Sequence, residues 1–439
     1  MAEADTPMAP SRQLSIRQAA FIGVGAMVGA GIFSLLGAAG EVAGAAVWLS
    51  FALAGGVAML QGYSFSKLGA RYPSAGGLLE YVKRGWGDGH FTGILAWLIL
   101  ATNAIVTAMV AVSFGSYASS AVADSNTSWA KFFAVAIIIV MSLLNIAGSQ
   151  AVARAQTVVV IVVIGILSVF AIVTLVNMDP HLLAFSGYPP VKDIISSVAL
   201  TFFAFLGFGV VTFTAKDLAE PKRQLPRAMF LALGIAAVIY IAVALGVFGT
   251  LTVHEVIASG GTAIAVAAQP TLGRAGYWLM SITALFATAG ATNAGLYPAA
   301  GLCEEMATTG QFPPVLGRRF NGRAPAGLIL TALIAIVLAA GFDLSAIASI
   351  GSAIALAVFA LITVGHLRIR SETGAHAWLL IAAVATATIV LVAFALTTLV
   401  TEPGTVIAIV VIGALSVALD FAWKRRRNRP GAAHARFVT

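Results

Sequence analysis

The sequence predicts an all-α polytopic membrane protein with 12 transmembrane helices, and three observations lead there. Of its 439 residues, 60% are hydrophobic and 10% charged, whereas soluble domains run at roughly 45–50% apolar and 25% charged. Apolar runs of about 20 residues, enough to cross a hydrocarbon core of roughly 30 Å, recur along the whole chain. All but three of the 25 Lys and Arg residues fall in segments that a twelve-span count puts on one side.

The first span is placed near 18–40, after a polar start, MAEADTPMAPSRQ, that lacks the basic region and cleavage pattern of a removable signal peptide. The first span is therefore expected to be its own insertion signal. Spans two to five are placed near 44–66, 92–120, 130–147 and 156–176, and spans six to eight near 195–215, 228–250 and 275–305. The last four are placed near 326–341, 344–365, 377–398 and 404–423. Two long connections, KLGARYPSAGGLLEYVKRGWGDG and EEMATTGQFPPVLGRRFNGRAP, are interrupted by Pro and Gly, and each is expected to form an interfacial helix or elbow.

Only Lys131, Lys192 and Arg274 fall on the minority side. By the positive-inside rule both termini are cytoplasmic, and the chain is expected in the plasma membrane. The net charge of +8 then reflects topology, with the tail KRRRNR attracted to anionic inner-leaflet lipid, and calls for no nucleic acid. One cysteine, Cys303, excludes an intramolecular disulfide, and none of the six His has metal-ligand spacing to another. No cofactor is expected, and no buried acid pair or metal cluster points to an enzyme.

Two spans carry unusual glycines. The first contains GVGAMVGAGIFS, with Gly23, Gly25, Gly29 and Gly31; the sixth contains FFAFLGFGVVTF, with Gly207 and Gly209. Spans one and six are five apart, and interrupted helices in corresponding positions point to a midplane site between inverted repeats. The expected units are a tail 1–17, repeat one at 18–176, a connection at 177–194, repeat two at 195–370, added helices at 371–423 and a basic tail at 424–439. Glycine weakens a helix by about 1 kcal/mol and accepts positive φ. Unwinding at 29–31 would free amides suited to a carboxylate, and freed carbonyls would suit an ammonium group or a cation. Gly25 and Gly29 also make a GxxxG pair, so spacing alone leaves close helix packing equally open.

The run GVGAMVGAGIFSLLG resembles the first-span signature of amino acid permeases of the amino acid–polyamine–organocation (APC) superfamily. FFAFLGFGVVTFTAKDLAEPKRQLPRA resembles the sixth span and following loop, and KLGARYPSAGG the first cytoplasmic loop. The resemblance runs from about residue 14 to 325 and implies the five-plus-five inverted repeat of the LeuT-like fold, with discontinuous first and sixth helices. It implies that Gly29 lets the chain open and that the backbone of Ala30, Gly31 and Ile32 holds a substrate carboxylate. Carbonyls near Phe203, Ala204 and Leu206, beside Gly207, would hold the amino group, with Phe203 as an aromatic lid. The family's bundle of spans one, two, six and seven would rock against spans three, four, eight and nine.

Two departures from the family carry information. Gly209 stands where many relatives have Glu or Asp, which favours a small or medium neutral amino acid over a cationic one. Val163 stands where some proton-coupled relatives have a fifth-span Lys, which leaves coupling to H⁺ by another site, coupling to Na⁺, or uncoupled exchange. Thr288 and Thr292, one turn apart, are a candidate ion site; back-bonding to helix carbonyls is their structural reading. Asn103, Ser349 and Ser352 are candidate pocket groups, with interhelical packing as the alternative. The expected activity is amino acid transport by alternating access. Its rivals are a permease for an organic amine or other metabolite, and a non-transporting sensor with a carrier fold.

Overall fold

The computed structural model describes residues 14–427, apart from Ala30, Ala75, Asp124, Gly148, Ser149, 321–323 and Thr401; for 150–156, Tyr297, Thr398 and Leu399 only the backbone is described. The first span is two helices, α1 (Ile16–Val28) and α2 (Ile32–Ala43). A capping box on Ser15 starts α1: its hydroxyl accepts from the Gln18 amide while the Gln18 side chain accepts from the Ser15 amide. Then come α3 (Val47–Arg71), α4 (Leu78–Trp86), α5 (His90–Val122), α6 (Thr127–Ala147) and α7 (Gln150–Val176).

The sixth span is also divided, into α8 (Val191–Phe203) and a second piece that begins with a 3₁₀ turn, Leu206–Phe208, and continues as α9 (Gly209–Phe213). The two pieces meet at a 42° bend. Next are α10 (Pro221–Phe248), α11 (Val253–Ser259) and α12 (Ala263–Thr308), the last interrupted at Gly273, whose φ of 64° leaves the helical region. α13 (Ala326–Gly341), α14 (Leu344–Arg368), α15 (Arg370–Thr373), α16 (Ala377–Phe394) and α17 (Pro403–Arg427) complete the chain.

Among the described residues each of the 12 sequence-placed segments is mostly helical, with breaks in the first and sixth, but nine helices are individually long and apolar enough to cross a membrane, or ten with the bent sixth span. α1, with 13 residues, and α13, with 16, are shorter. Of the two long connections, the first does hold a helix, α4. The second holds a 3₁₀ turn at Pro314–Gly317 and a minimal antiparallel pair, β1 (Arg319–Phe320) with β2 (Ala324–Pro325).

The packing pattern carries the inverted repeat. α1 lies on α10 and α3 lies on α8, which are the same pairing once spans one and six, and two and seven, are exchanged. α5 with α14 and α12 with α7 form the second such pair. Equivalent spans also pack on each other, α3 along α10 and α5 along α12.

Outside the repeats, the last turns of α17 turn inward. Asp420 is fully buried, pairs with Lys424 at 2.8 Å and meets His90 Nδ1 at 2.5 Å. Lys424 Nζ also donates to the Gly89 carbonyl at 2.6 Å. Lys424, counted from sequence with the lipid-facing basic tail, is therefore a buried partner of Asp420; tail residues 428–439 lie outside the described residues. Trp423 Nε1 and Arg427 Nη1 both donate to the carbonyl of Gly310, at 2.9 and 2.8 Å.

Candidate functional site

The two interrupted spans cross where they are interrupted. A Cβ built on Gly207 would lie 2.5 Å from the Ala26 carbonyl carbon and 2.6 Å from the Met27 nitrogen. One built on Gly31 would collide with Cα and Cβ of Ala204. Each break therefore presses a glycine onto the main chain of the other. Gly29 lies equally close to the Ala287 carbonyl of α12, and a Cβ on Gly25 would meet Val160 Cγ2 of α7 at 2.6 Å.

The conformational reason expected for these glycines does not hold. Gly29 has φ −71° and Gly31 φ −103°, values open to any residue, so what they supply is the missing Cβ rather than left-handed backbone. The break nonetheless frees polar groups. The Gly31 amide donates to Met27 at 3.2 Å, and the Ser34 and Leu35 amides both turn back to the Gly31 carbonyl, at 3.2 and 3.1 Å. Among the described residues, the amides of Ile32 and Phe33 have no main-chain acceptor. In the sixth span, the carbonyls of Phe203 and Ala204 receive no main-chain amide among the described residues. The Ala204 carbonyl accepts from the hydroxyl of Tyr240 at 3.1 Å. Ala30 lies outside the described residues.

On the side where basic residues concentrate, a cavity of about 80 Å³ opens below this crossing. Its wall includes Ala26 from α1, Leu206, Gly207 and Gly209 from the sixth span, Thr102 and Asn103 from α5, and Phe359 from α14. Leu78, Phe213 and Leu302 lie farther toward the basic ends of their elements. Among the described residues no lining residue is charged. Asn103 Nδ2 donates to the Gly295 carbonyl of α12 at 2.8 Å, and the Thr102 hydroxyl donates back to Leu98 at 2.8 Å. At Gly209 a Cβ would meet only Leu78 Cδ1, at 3.6 Å, so the position faces open space.

The opposite side of the crossing is closed. Phe203 is fully buried, and its ring packs against Gly351 of α14. The Tyr117 hydroxyl reaches the Phe33 carbonyl at 3.3 Å. Ser34, Ser349 and Ser352 are buried around this seal, and their hydroxyls have no hydrogen-bond partner among the described residues.

Of the sequence-derived site residues, the structure brings Leu206, Gly207 and Asn103 to the cavity wall. Gly29, Gly31, Ile32, Phe203 and Ala204 sit in the closed crossing above it. Thr288 and Thr292 are fully buried on α12 and do not line the cavity, and their hydroxyls donate to their own helix at Ala284 (2.6 Å) and Thr288 (2.9 Å). Val163 borders a void of about 10 Å³ with Gly25, Gly29 and Ala287, about the least space that admits one water. Glu304 makes a 3.7 Å ion pair with Arg319, both half exposed, a contact worth about 0–1 kcal/mol. Sequence reasoning missed Thr102 and Phe359, which nothing but helical phase sets apart from their apolar neighbours.

A family model described as amino acid permease matches residues 14–430. The chain is 33% identical over 421 residues to the inner membrane transport protein YbaT of Escherichia coli (strain K12), covering 95% of this chain and 97% of that one. It is 26% identical over 389 residues to the branched-chain amino acid permease BcaP of Lactococcus lactis, covering 82% of each. A crystal structure of an Eremococcus coleocola manganese transporter mutant, H236A, superposes with a TM-score of 0.61 at 14% identity, covering 96% of this chain and 95% of that one. At that identity the likeness concerns the fold alone.

Proposed function

We propose that this chain, which belongs to the amino acid permease family, carries small or medium neutral amino acids across the plasma membrane by alternating access. The observation that carries the reading is the cavity wall, free of charged side chains among the described residues, directly beneath two interrupted spans in which, among the described residues, the amides of Ile32 and Phe33 and the carbonyls of Phe203 and Ala204 lack main-chain partners. A zwitterion placed there meets the amides of Ile32 and Phe33 through its carboxylate and the carbonyls of Phe203 and Ala204 through its ammonium. Its side chain faces Ala26, Gly209 and Phe359, where an uncharged group loses nothing and a cationic one finds no counter-charge. Both termini and the cavity mouth are assigned to the cytoplasm, on the distribution of Lys and Arg.

The arrangement is then the inward-facing one, with the outer path shut at Phe203 and Gly351. Outward opening requires α1, α3, the sixth span and α10 to tilt together away from that seal while the cavity mouth closes. The coupling ion is H⁺ or Na⁺, or transport is uncoupled exchange. Uptake of a panel of radiolabelled solutes into proteoliposomes, under separately imposed proton and sodium gradients, tests the reading. Uptake of neutral amino acids, weakly inhibited by lysine and arginine, is the expected result; amine uptake with no amino acid signal would overturn it.

A further inference from the structure

A second polar cluster lies on the basic side of the cavity, between α3 and α14. Gln61 and Ser64 of α3 and Thr363 and His366 of α14 are all fully buried. Ser64 Oγ lies 2.9 Å from His366 Nδ1, and Thr373 Oγ1 lies 2.8 Å from Nε2. Thr363 donates to Gln61 Oε1 at 2.7 Å, and Gln61 Nε2 donates to the Ala383 carbonyl of α16 at 3.1 Å. The cluster thus ties α3, α14, α15 and α16 together.

The hydrogens can be assigned from the network. Thr373 gives its own hydrogen to the Arg370 carbonyl at 3.1 Å, so it accepts from Nε2–H. Nδ1 then accepts from Ser64, and the ring is neutral. Thr373 is half-buried at the basic face, which leaves Nε2 one hydroxyl away from water. A proton reaches Nδ1 only if Ser64 turns its hydrogen away, and a helical serine has the carbonyl four residues back for that purpose.

Protonation places a cation in the α3–α14 joint, and the neighbouring charges do not favour it. Lys67 of α3 acts on the ring with the same sign. Glu372 of α15 is engaged by the Tyr72 hydroxyl at 2.5 Å, and Arg368 stacks over the Trp86 ring of α4 at 4.3 Å. On α4, whose Gly85 abuts Gly365, Arg84 is paired with Glu80, and Lys83 adds a further positive charge. The Tyr63 hydroxyl accepts the His376 amide at 2.9 Å, and α16 carries no titratable side chain. Ser64 is followed by Phe65, whose ring touches Phe359 of the cavity wall, centroids 5.0 Å apart, and Phe208, at 5.6 Å. A change in the joint therefore reaches the cavity through rings already in contact.

We propose that His366 is a proton-binding site filled from the basic face, and that its protonation disfavours the α3–α14 joint seen here and so links opening of the cavity to pH on that face. The inference rests on the alternating-access reading above, but its test needs no transported substrate. In a Cys303→Ala background, Phe213→Cys places a reporter thiol on the cavity wall. Its labelling rate with a maleimide is measured on purified protein from about pH 5.5 to 8, the range in which an imidazole titrates, and divided by the rate of a free thiol at each pH.

The corrected rate is expected to change about three- to tenfold across that range in the His366 protein and less than about 1.5-fold in His366→Gln, which keeps hydrogen-bonding capacity without titrating. Ser64→Ala retains the imidazole and is expected to move the midpoint while preserving the amplitude. A flat rate in the His366 protein, an unchanged pH profile in His366→Gln, or an unmoved midpoint in Ser64→Ala would each overturn the proposal. If the pH effect is lost with His366 while amino acid uptake is absent, the proton site stands and the substrate reading falls.

Discussion

Replacing Gly207 with alanine tests whether the crossing of the two interrupted spans is as close as it looks. The added Cβ would sit 2.5 Å from the Ala26 carbonyl carbon, 2.6 Å from the Met27 nitrogen and 2.7 Å from the Ala26 oxygen. Carbon atoms in good contact lie about 3.5–4.0 Å apart, so the two main chains must part by about 1 Å. Because every opposing atom is main chain, no rotamer change relieves the overlap. Overpacking of this kind costs about 1–3 kcal/mol, which lowers the population of the arrangement about 5- to 150-fold.

The assay is the half-inactivation temperature of the detergent-purified protein, read alongside uptake in proteoliposomes. Two alanine substitutions serve as controls. Gly209→Ala meets only Leu78 Cδ1, at 3.6 Å, and should leave the half-inactivation temperature unchanged. Gly62→Ala meets Leu233 Cδ1 at 2.6 Å, the mobile end of a side chain, and should cost less than Gly207→Ala. A Gly207→Ala protein with the original half-inactivation temperature and uptake would refute the reasoning.

Gly209→Glu places a carboxylate on the uncharged cavity wall, where there is room for it, and is expected to improve inhibition by lysine or arginine about tenfold or more relative to a neutral amino acid, measured by competition. Asp420→Asn leaves Lys424 buried without its counter-charge and should cost about 3–5 kcal/mol in stability; adding Lys424→Met should recover most of the fall in half-inactivation temperature. Cys303 is fully buried beside Gly327, so maleimide should label the folded protein negligibly and the denatured protein fully, as read by intact mass.

Much of this molecule is legible from its sequence because the membrane permits so few backbone solutions. Apolar runs had to be helices, and glycine pairs in spans one and six had to interrupt or pack them. Gly29 and Gly31 show the limit of that reasoning: sequence identifies where side chains are missing, but only the fold reveals that Ala287 and Ala204 occupy the space. The partners of His366 lie seven residues away at Thr373 and 302 away at Ser64, and no local pattern connects the distant one. Asp420 and Lys424 are readable as an i, i+4 pair, yet their burial depends on Gly93, where a Cβ would occupy the place of the Asp420 carboxylate.

The inward turn of α17 bears on which half of the carrier moves. Lys424 and Asp420 hold the start of α5, while Trp423 and Arg427 hold the chain just after α12. One helix end is thus a tie-bar between the two scaffold spans on the basic face. Spreading those spans would break the hydrogen bonds that this helix end makes to one of them, which opposes their separation on that face. On the alternating-access reading proposed above, α5 and α12 are therefore expected to move as one frame.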